Sequence, residues 1–307
     1  MPKKLNIFAR NAKKIVLLAV VAGAMSPIFT RLIEAPAVVI GFYRLAFTVP
    51  FFLVTVLGWH GKELAAISKK ELLGCALGGV FLAGHFFSWF TALKLTTIAS
   101  ATVLGLTHPM VILVITALIL KEKTNVKAVI GVLVAFLGAA IISGSDYSFS
   151  GQALMGDFFA LCAAVCMALY FLTGRKYRKT VNAPVYVFVV FSACWLSFTV
   201  GMLLTKTPFV GYAHTDYLWI LAMALICQVC SHAVFNWLLG YVEALYIATW
   251  ENAEAVIATI IGIFLFGEIP TVWQIVGGTI VICGLLYYNK HERNDGENGG
   301  DLPCPIK

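Results

Sequence analysis

Ten apolar stretches follow one another through this chain, and only short connections separate them. A helix needs roughly 20 apolar residues to cross the hydrocarbon core of a bilayer. Ten such helices use nearly the whole sequence, so no room remains for a soluble domain of normal size. The sequence therefore predicts an all-α integral membrane protein with ten transmembrane spans, which we number 1–10 at 15–32, 36–57, 72–93, 98–120, 125–143, 153–173, 185–205, 217–241, 244–267 and 271–288.

The composition supports this fold class and argues against nucleic acid as a partner. Of the 307 residues, 60% are hydrophobic and only 12% are charged, whereas soluble domains carry about 25% charge. The net charge of +7 arises from basic residues beside the apolar stretches, where membrane topology requires them. We therefore expect membrane lipid and a small-molecule substrate as partners, and no nucleic acid.

The distribution of Lys and Arg predicts which side of the membrane each loop faces. With a cytoplasmic N-terminus and ten spans, the cytoplasmic segments hold 18 of the 22 Lys and Arg residues. The outer segments hold only Arg31, Lys94 and Lys206, and Arg44 lies within span 2. This positive-inside bias predicts a multi-pass protein with both termini in the cytoplasm. The cysteine use and the short loops suit a cell (inner) membrane of a bacterium, and an organelle membrane stays open.

The two halves of the chain match one another weakly but in order. At an offset of 148 residues the matches are Ala35-Pro36 with Ala183-Pro184 and Trp89 with Trp237, and at 146 they are Glu122 with Glu268, Gly131 with Gly277, and Gly138 with Gly284. Five helices per half is an odd number, so the second half must enter the membrane from the opposite side. Such inverted repeats place a transporter's substrate site near the midplane, between the halves.

This repeat divides the chain into five predicted regions. They are a cytoplasmic N-terminus at 1–14, a first repeat at 15–143, a loop at 144–152, a second repeat at 153–288 and a disordered cytoplasmic tail at 289–307.

Over roughly residues 15–288 the sequence resembles the EamA family of the drug/metabolite transporter superfamily. The order of several loose motifs carries the resemblance. They are Phe42-Tyr43-Arg44, Trp89-Phe90-Thr91-Ala92-Leu93, His108-Pro109 with Lys121-Glu122, Glu254-Ala255-Val256 with Phe266-Gly267-Glu268, and the glycines Gly138 and Gly284.

The resemblance implies a basket of helices in which spans 1–4 and 6–9 surround a central cavity and spans 5 and 10 are peripheral. Members of the family move amino acids, amines, nucleotide-like compounds and other metabolites, often outward. This chain departs from the family pattern in span 9, where it has Trp250-Glu251-Asn252-Ala253-Glu254 and Ala255 at the usual proline position. A substrate therefore cannot be carried over from any one member.

Polar residues inside the spans are the candidates for substrate contact, because burying charge in a bilayer costs about 2.5–3.5 kcal/mol on insertion scales. In span 8, Gln228, His232 and Asn236 recur every four residues and share one helix face. Such a row lines a cavity or forms hydrogen bonds between helices, and both interpretations stay open.

Span 9 carries two carboxylates, Glu251 and Glu254, beside Trp250. Two close carboxylates resist ionising together, which suits proton coupling or the binding of a cationic group. The alternative is that Arg44 or a histidine simply neutralises one of them. The repeat makes His108 equivalent to Glu254, so this pair is expected to bind a zwitterion or to form a closed gate.

In span 3, His85 and Trp89 lie one turn apart on the same face. Trp89 contacts substrate or serves as a packing residue at the interface. Arg44 of span 2 binds substrate, pairs with a carboxylate, or extends its charge toward the outer headgroups. Glu268 ends span 9 at a membrane edge, where we expect a structural role.

No motif for a cofactor, a phosphate loop or a catalytic nucleophile accompanies these residues. Cys227-x-x-Cys230 with His232 resembles a metal motif, but it lies within a span and has no second cysteine pair. We therefore predict no enzyme, no catalytic residues, no metal and no cofactor.

The sequence as a whole predicts a secondary-active transporter of small polar metabolites, foremost amino acids or related amines, by alternating access and with export favoured. One alternative is a proton-coupled importer of a cationic or nucleoside- or vitamin-like metabolite. An alternative of another class is a non-transporting receptor or an intramembrane enzyme. The oligomeric state is left open.

Overall fold

A computed structural model describes residues 2–119, 121, 126–149, 151–235 and 244–298, and these form helices joined by short turns. The helices in chain order are α1 (Pro2–Leu32), α2 (Ala37–Trp59), α3 (Gly61–Ala66), α4 (Lys69–Leu95), α5 (Ile98–Gly105), α6 (His108–Leu118), α7 (Val126–Phe149), α8 (Gly151–Tyr177), α9 (Ala183–Leu204), α10 (His214–Met223), a π-helix (Ala224–Ala233), α11 (Ala244–Phe266) and α12 (Val272–Asn298).

The helices follow the predicted spans closely and confirm the all-α membrane fold. Eight of the described helical segments are long and apolar enough to cross a membrane, and Val272–Tyr288 is a shorter apolar helix. The helix α11 covers the ninth predicted span. Large apolar side chains such as Phe51, Phe136 and Phe264 lie exposed on the outside of the bundle, as lipid contact requires.

Two predicted segments differ from the structure. The loop predicted at 144–152 is helical on both sides of residue 150, because α7 runs to Phe149 and α8 begins at Gly151. The tail predicted to be disordered from 289 continues α12 to Asn298, since the apolar helix has already nucleated and charged residues extend it at little cost. Residues 299–307 lie outside the described part of the chain.

Two spans are irregular within the membrane. Span 4 is broken into α5 and α6 by a turn at Leu106–Thr107, immediately before Pro109, which has no N–H to donate. Span 8 changes from α10 into a ten-residue π-helix, a rare form that is frequent at functional sites. Both irregularities lie next to polar side chains singled out in the sequence.

Glycine contacts between α7 and α12 show how the two halves are related. A β-carbon on Gly138 would lie 2.6 Å from the carbonyl oxygen of Gly277, and one on Gly131 would lie 2.8 Å from that of Gly284. Gly131 and Gly138 match Gly277 and Gly284 in the repeat, so each glycine contacts the counterpart of the other. This reciprocal, antiparallel packing is what an inverted repeat with a pseudo-twofold axis produces.

Candidate functional site

Arg44 lies in α2, about two turns from the start of the helix, and is completely buried. Its Nε donates a hydrogen bond of 2.8 Å to Oε1 of Gln228 in the π-helix. The guanidinium carbon lies 4.3 Å from the centre of the Phe86 ring in α4. Arg44 therefore joins α2 and α4 of the first half to the π-helix of the second half.

The guanidinium of Arg44 is incompletely satisfied. Both Nη1 and Nη2 lack a hydrogen-bond partner in the described part of the chain, and neither of the two salt bridges found there involves Arg44. A buried charge without a partner is strongly destabilising, and a ring face compensates for only part of that cost. A charge kept under such conditions inside a membrane is a candidate for function.

Gln228 and His232 both lie on the π-helix and face the same region as Arg44. Gln228 is completely buried, and its Nε2 has no hydrogen-bond partner among the described residues. The ring of His232 contacts Phe86 edge-to-face at 6.0 Å and lies within electrostatic range of Arg44 and His85. Asn236, the third residue of the predicted row, lies outside the described residues.

Glu251 and Glu254 lie one turn apart near the middle of α11, and both are half-buried. The Glu254 carboxylate packs against Gly23 of α1, where a β-carbon would overlap Oε1, and close to Ser231 of the π-helix. Arg44 is hydrogen-bonded to Gln228, three residues before Ser231 on the π-helix, so the acid and the base both lie beside this helix. No salt bridge of the described residues joins them.

His85 and Trp89 lie in α4 as predicted, and their rings stack at 6.3 Å. His85 Nδ1 is 2.9 Å from the carbonyl oxygen of Ala163 in α8. Trp89 packs against Gly105, at the break between α5 and α6, where its ring would block a β-carbon. Trp89 therefore fills the space beside the broken helix.

His108 begins α6, immediately after this break, and is buried beside Phe171, with ring centres 5.3 Å apart. It lies within electrostatic range of His85, whereas Glu254 interacts with Glu251 and Cys227. The expected pairing of His108 with Glu254 is therefore not a contact in this conformation.

The structure gathers most of the predicted residues into one region, which we call the midplane cluster. It comprises Arg44, His85, His108, Gln228, His232, Glu251 and Glu254. Trp89 borders it, and Trp250 lies on α11 with 37% of its surface exposed. The cluster receives residues from both halves, on several helical segments.

Sequence reasoning missed three participants in this region. Phe86 lies under the guanidinium of Arg44, Gly23 leaves space for the Glu254 carboxylate, and Ser231 lies beside that carboxylate. None of the three stands out in the sequence, because aromatic and small residues are common throughout the spans.

A second polar region, which we call the distal seam, lies at the end of the bundle where α1 ends. It comprises Arg31, Lys94, Thr96, Asp157, Asp216 and Glu268. An ion pair of 2.8 Å joins Arg31 Nη2 to Glu268 Oε1, and Glu268 Oε2 accepts a hydrogen bond of 2.9 Å from the backbone N–H of Ile98.

Asp216 makes two hydrogen bonds of the distal seam. Its two carboxylate oxygens accept hydrogen bonds from the backbone N–H groups of Glu34, at 2.9 Å, and Ala35, at 3.1 Å. Lys94 Nζ donates to the carbonyl oxygens of the same turn, at 2.8 Å for Ala35. Asp216 and Glu268 belong to the second half, so the seam ties the halves together at this end.

Comparisons with known proteins agree with the helical architecture. The profile of the EamA-like transporter family matches the chain twice, at residues 13–144 and 154–289. A solved crystal structure superposes with a TM-score of 0.63 over 93% of this chain and 98% of its own, at 18% sequence identity, which shows a shared fold.

Three curated relatives are named as transporters or exporters, and two of these names include a substrate. The uncharacterized transporter YyaM of Bacillus subtilis is 25% identical over 80% of this chain and 81% of its own length. The S-adenosylmethionine uptake transporter of Rickettsia bellii is 24% identical over 81% of this chain and 82% of its own. The aromatic amino acid exporter YddG of Ancylobacter novellus is 26% identical over 38% of this chain and 41% of its own.

Proposed function

Because the chain belongs to the EamA-like transporter family, we propose that it is a secondary-active transporter that exports amino acids or related amines by alternating access. The family and the named relatives make it a membrane transporter rather than an enzyme. The observation that carries the finer proposal is the midplane cluster, in which a buried guanidinium and two carboxylates from opposite halves remain without ion-pair partners in the described residues.

The relatives support the choice of substrate class. Aromatic amino acids and S-adenosylmethionine, which name two of the relatives, share an amino group and a carboxylate on one carbon. The midplane cluster offers a base and two acids to such groups. Nucleoside- or vitamin-like compounds share no such feature with both named substrates.

The two polar regions suit alternating access. The distal seam joins the halves at one end, and its contacts support assigning this conformation as closed there. Arg44 has no exposed surface, so a substrate reaches it only when the helices separate. The free energy of substrate binding to the midplane cluster would then offset the cost of breaking the distal seam when this end opens.

Proton coupling is a second element of the proposal. Glu251 and Glu254 lie close together without a basic partner in the described part of the chain, so one of them is suited to carry a proton. A proton-coupled importer would use the same pair. A proton gradient can be imposed in either direction across proteoliposomes. The direction that drives substrate accumulation distinguishes an exporter from an importer.

Transport in proteoliposomes tests the proposal. We expect radiolabelled amino acids or amines to accumulate against a gradient, and a thermal-shift screen to show stabilisation by the same compounds. Glu254→Gln and His232→Ala should each reduce transport about 10–100-fold, the value of one hydrogen bond to a charged group. Lys62→Gln, which changes an exposed charge in α3, is the control and should leave transport unchanged.

Two results would contradict the proposal. The absence of transport for every amino acid, amine, nucleoside and vitamin tested would exclude a transporter of this kind. Full transport by both midplane variants would show that these side chains are structural and that the site lies elsewhere.

A further inference from the structure

The midplane cluster holds charges of opposite sign that two helices bring to one turn of the π-helix. Arg44 of α2 donates a hydrogen bond to Gln228, and the Glu254 carboxylate of α11 lies beside Ser231, three residues further along the π-helix. The described residues contain no salt bridge between them. Two opposite charges kept near each other but unpaired favour a ligand that carries both complementary charges.

The free side of Arg44 suits a carboxylate. Nε is already used by Gln228, whereas Nη1 and Nη2, which have no partner among the described residues, form the two-pronged edge of the guanidinium. That edge matches the two oxygens of a carboxylate in a planar, bidentate arrangement. Phe86 beneath the guanidinium plane and the hydrogen bond to Gln228 fix the orientation of this edge.

Glu254 suits an ammonium group. Its carboxylate occupies the space that a β-carbon on Gly23 of α1 would fill, beside Ser231. Glu251 lies one turn away, so it can hold the shared proton while the Glu254 carboxylate binds a cation. An ammonium group bound there replaces the missing basic partner of the pair.

Aromatic side chains line the Arg44 side of the cluster. Phe86 and Phe90 stack on each other at 5.8 Å, and the Arg44 guanidinium lies over both rings. His232 contacts Phe86 edge-to-face from the π-helix. These aromatic rings favour an apolar side chain on the ligand over a charged one.

We infer that the transported substrate is an α-amino acid with an apolar side chain, bound as the zwitterion, with its carboxylate on Arg44 and its ammonium group on Glu254. This inference rests on the proposed transport function and deepens it. An amine without a carboxylate leaves Arg44 unpaired, and a carboxylate without an amine leaves Glu254 unpaired. A site built to satisfy polar groups rejects ligands that lack them.

Matched analogues test each half of the zwitterion separately. Purified protein is screened by thermal shift with the standard L-amino acids, and dissociation constants are measured for phenylalanine and leucine. Phenethylamine and isoamylamine lack the carboxylate, and phenylpropionate and isocaproate lack the amine. We expect the amino acids to bind about 10–100-fold more tightly than either kind of analogue.

Two substitutions should remove one preference each. Arg44→Gln should abolish the preference for phenylalanine over phenethylamine and keep that over phenylpropionate, and Glu254→Gln should do the reverse. Arg44→Lys keeps the charge and should keep part of the first preference, which separates a binding role from failure to fold. Lys62→Gln and Lys70→Gln, at exposed charged residues outside both polar regions, are the controls and should behave as wild type.

The outcomes separate this inference from the transport proposal. If the protein transports amines or nucleosides in proteoliposomes but binds no apolar amino acid, the zwitterion inference fails and transport stands. If no compound is transported, both fail. Equal loss of both preferences in both variants would also overturn the inference, because the ligand carboxylate could then not be assigned to Arg44, nor the ammonium group to Glu254.

Discussion

The distal seam and the midplane cluster contain similar kinds of residues, but the charges of the seam have ion-pair or backbone partners, although Arg31 Nε has no hydrogen-bond partner among the described residues. In the seam, Arg31 pairs with Glu268, and both oxygens of Asp216 accept backbone hydrogen bonds. In the cluster, Arg44 has one hydrogen bond, and Glu254 has no basic partner in the described residues. Both regions join the two halves of the protein.

The difference indicates separate roles for the two regions. A charge with complete partners stabilises one conformation, because breaking a buried pair costs more than forming it contributes. A charge without partners lowers stability and is retained where another molecule supplies the partner. We therefore expect seam variants to change stability, and cluster variants to change binding and transport.

The largest effect on stability is expected for Asp216→Ala. The substitution leaves two backbone N–H groups without acceptors at a buried position. Each orphaned group costs about 1–3 kcal/mol, so the free energy of unfolding should fall by about 2–4 kcal/mol. Thermal denaturation in detergent should show a Tm lower by roughly 5 °C or more.

The control for Asp216→Ala comes from the other region. Glu254→Gln removes a charge without basic partners and should leave Tm unchanged or raise it. If the two variants lowered Tm equally, the satisfaction of a charge would not distinguish the two regions, and the comparison would fail.

A smaller effect, on transport, is expected for Gly23→Ala. The new methyl group would overlap the Glu254 carboxylate and move it out of its seat. We expect about a tenfold loss of transport, equivalent to roughly 1.4 kcal/mol, without a loss of Tm, since alanine also favours the helix. The measurement is initial uptake in proteoliposomes.

Gly201→Ala in α9 is the matched control for Gly23→Ala. Its β-carbon would meet the side chain of Val38 at 3.4 Å, which is ordinary contact, so transport should stay at the wild-type rate. Equal losses in both variants would show that transport responds to any added methyl group in a helix, and not to the position of Glu254.

A still smaller effect is expected for the Arg31–Glu268 pair, whose side chains are each 22% exposed. A double-mutant cycle with Arg31→Gln and Glu268→Gln should give a coupling free energy of about 1 kcal/mol, near the upper limit for pairs open to solvent. The exposed pair His60–Glu63 at the other end of the bundle is the comparison and should show no measurable coupling. Coupling of equal size in both pairs would contradict a special role for the seam.

The sequence predicts the helices and most of the midplane cluster, because apolar length and intramembrane polarity are both local signals. The hydrogen bond between Arg44 and Gln228 is not predictable in this way, because it joins residues 184 positions apart. The turn before Pro109 is predictable from that proline. The π-helix at Ala224–Ala233 contains no proline or glycine from which it could be predicted.

The distal seam is the larger gap in the sequence prediction. Asp216 lies in the first turn of α10, where the helix dipole favours an acid and a solvated helix end is the ordinary interpretation, and Asp157 lies in the second turn of α8. Their actual partners, Thr96 and the turn at Glu34–Ala35, lie in the other half of the chain. Only the packing of the two halves brings these groups together.

The smallest effect is expected at the opposite end of the bundle. Asn182 Nδ2 donates a hydrogen bond of 2.6 Å to Glu63 Oε2 and links the halves there, but this bond lies at the surface. Water replaces such a bond on substitution, so Asn182→Ala should change Tm by less than about 2 °C. If Asn182→Ala lowered Tm as much as Asp216→Ala, burial of the bonds between the halves would not determine which end holds the protein closed.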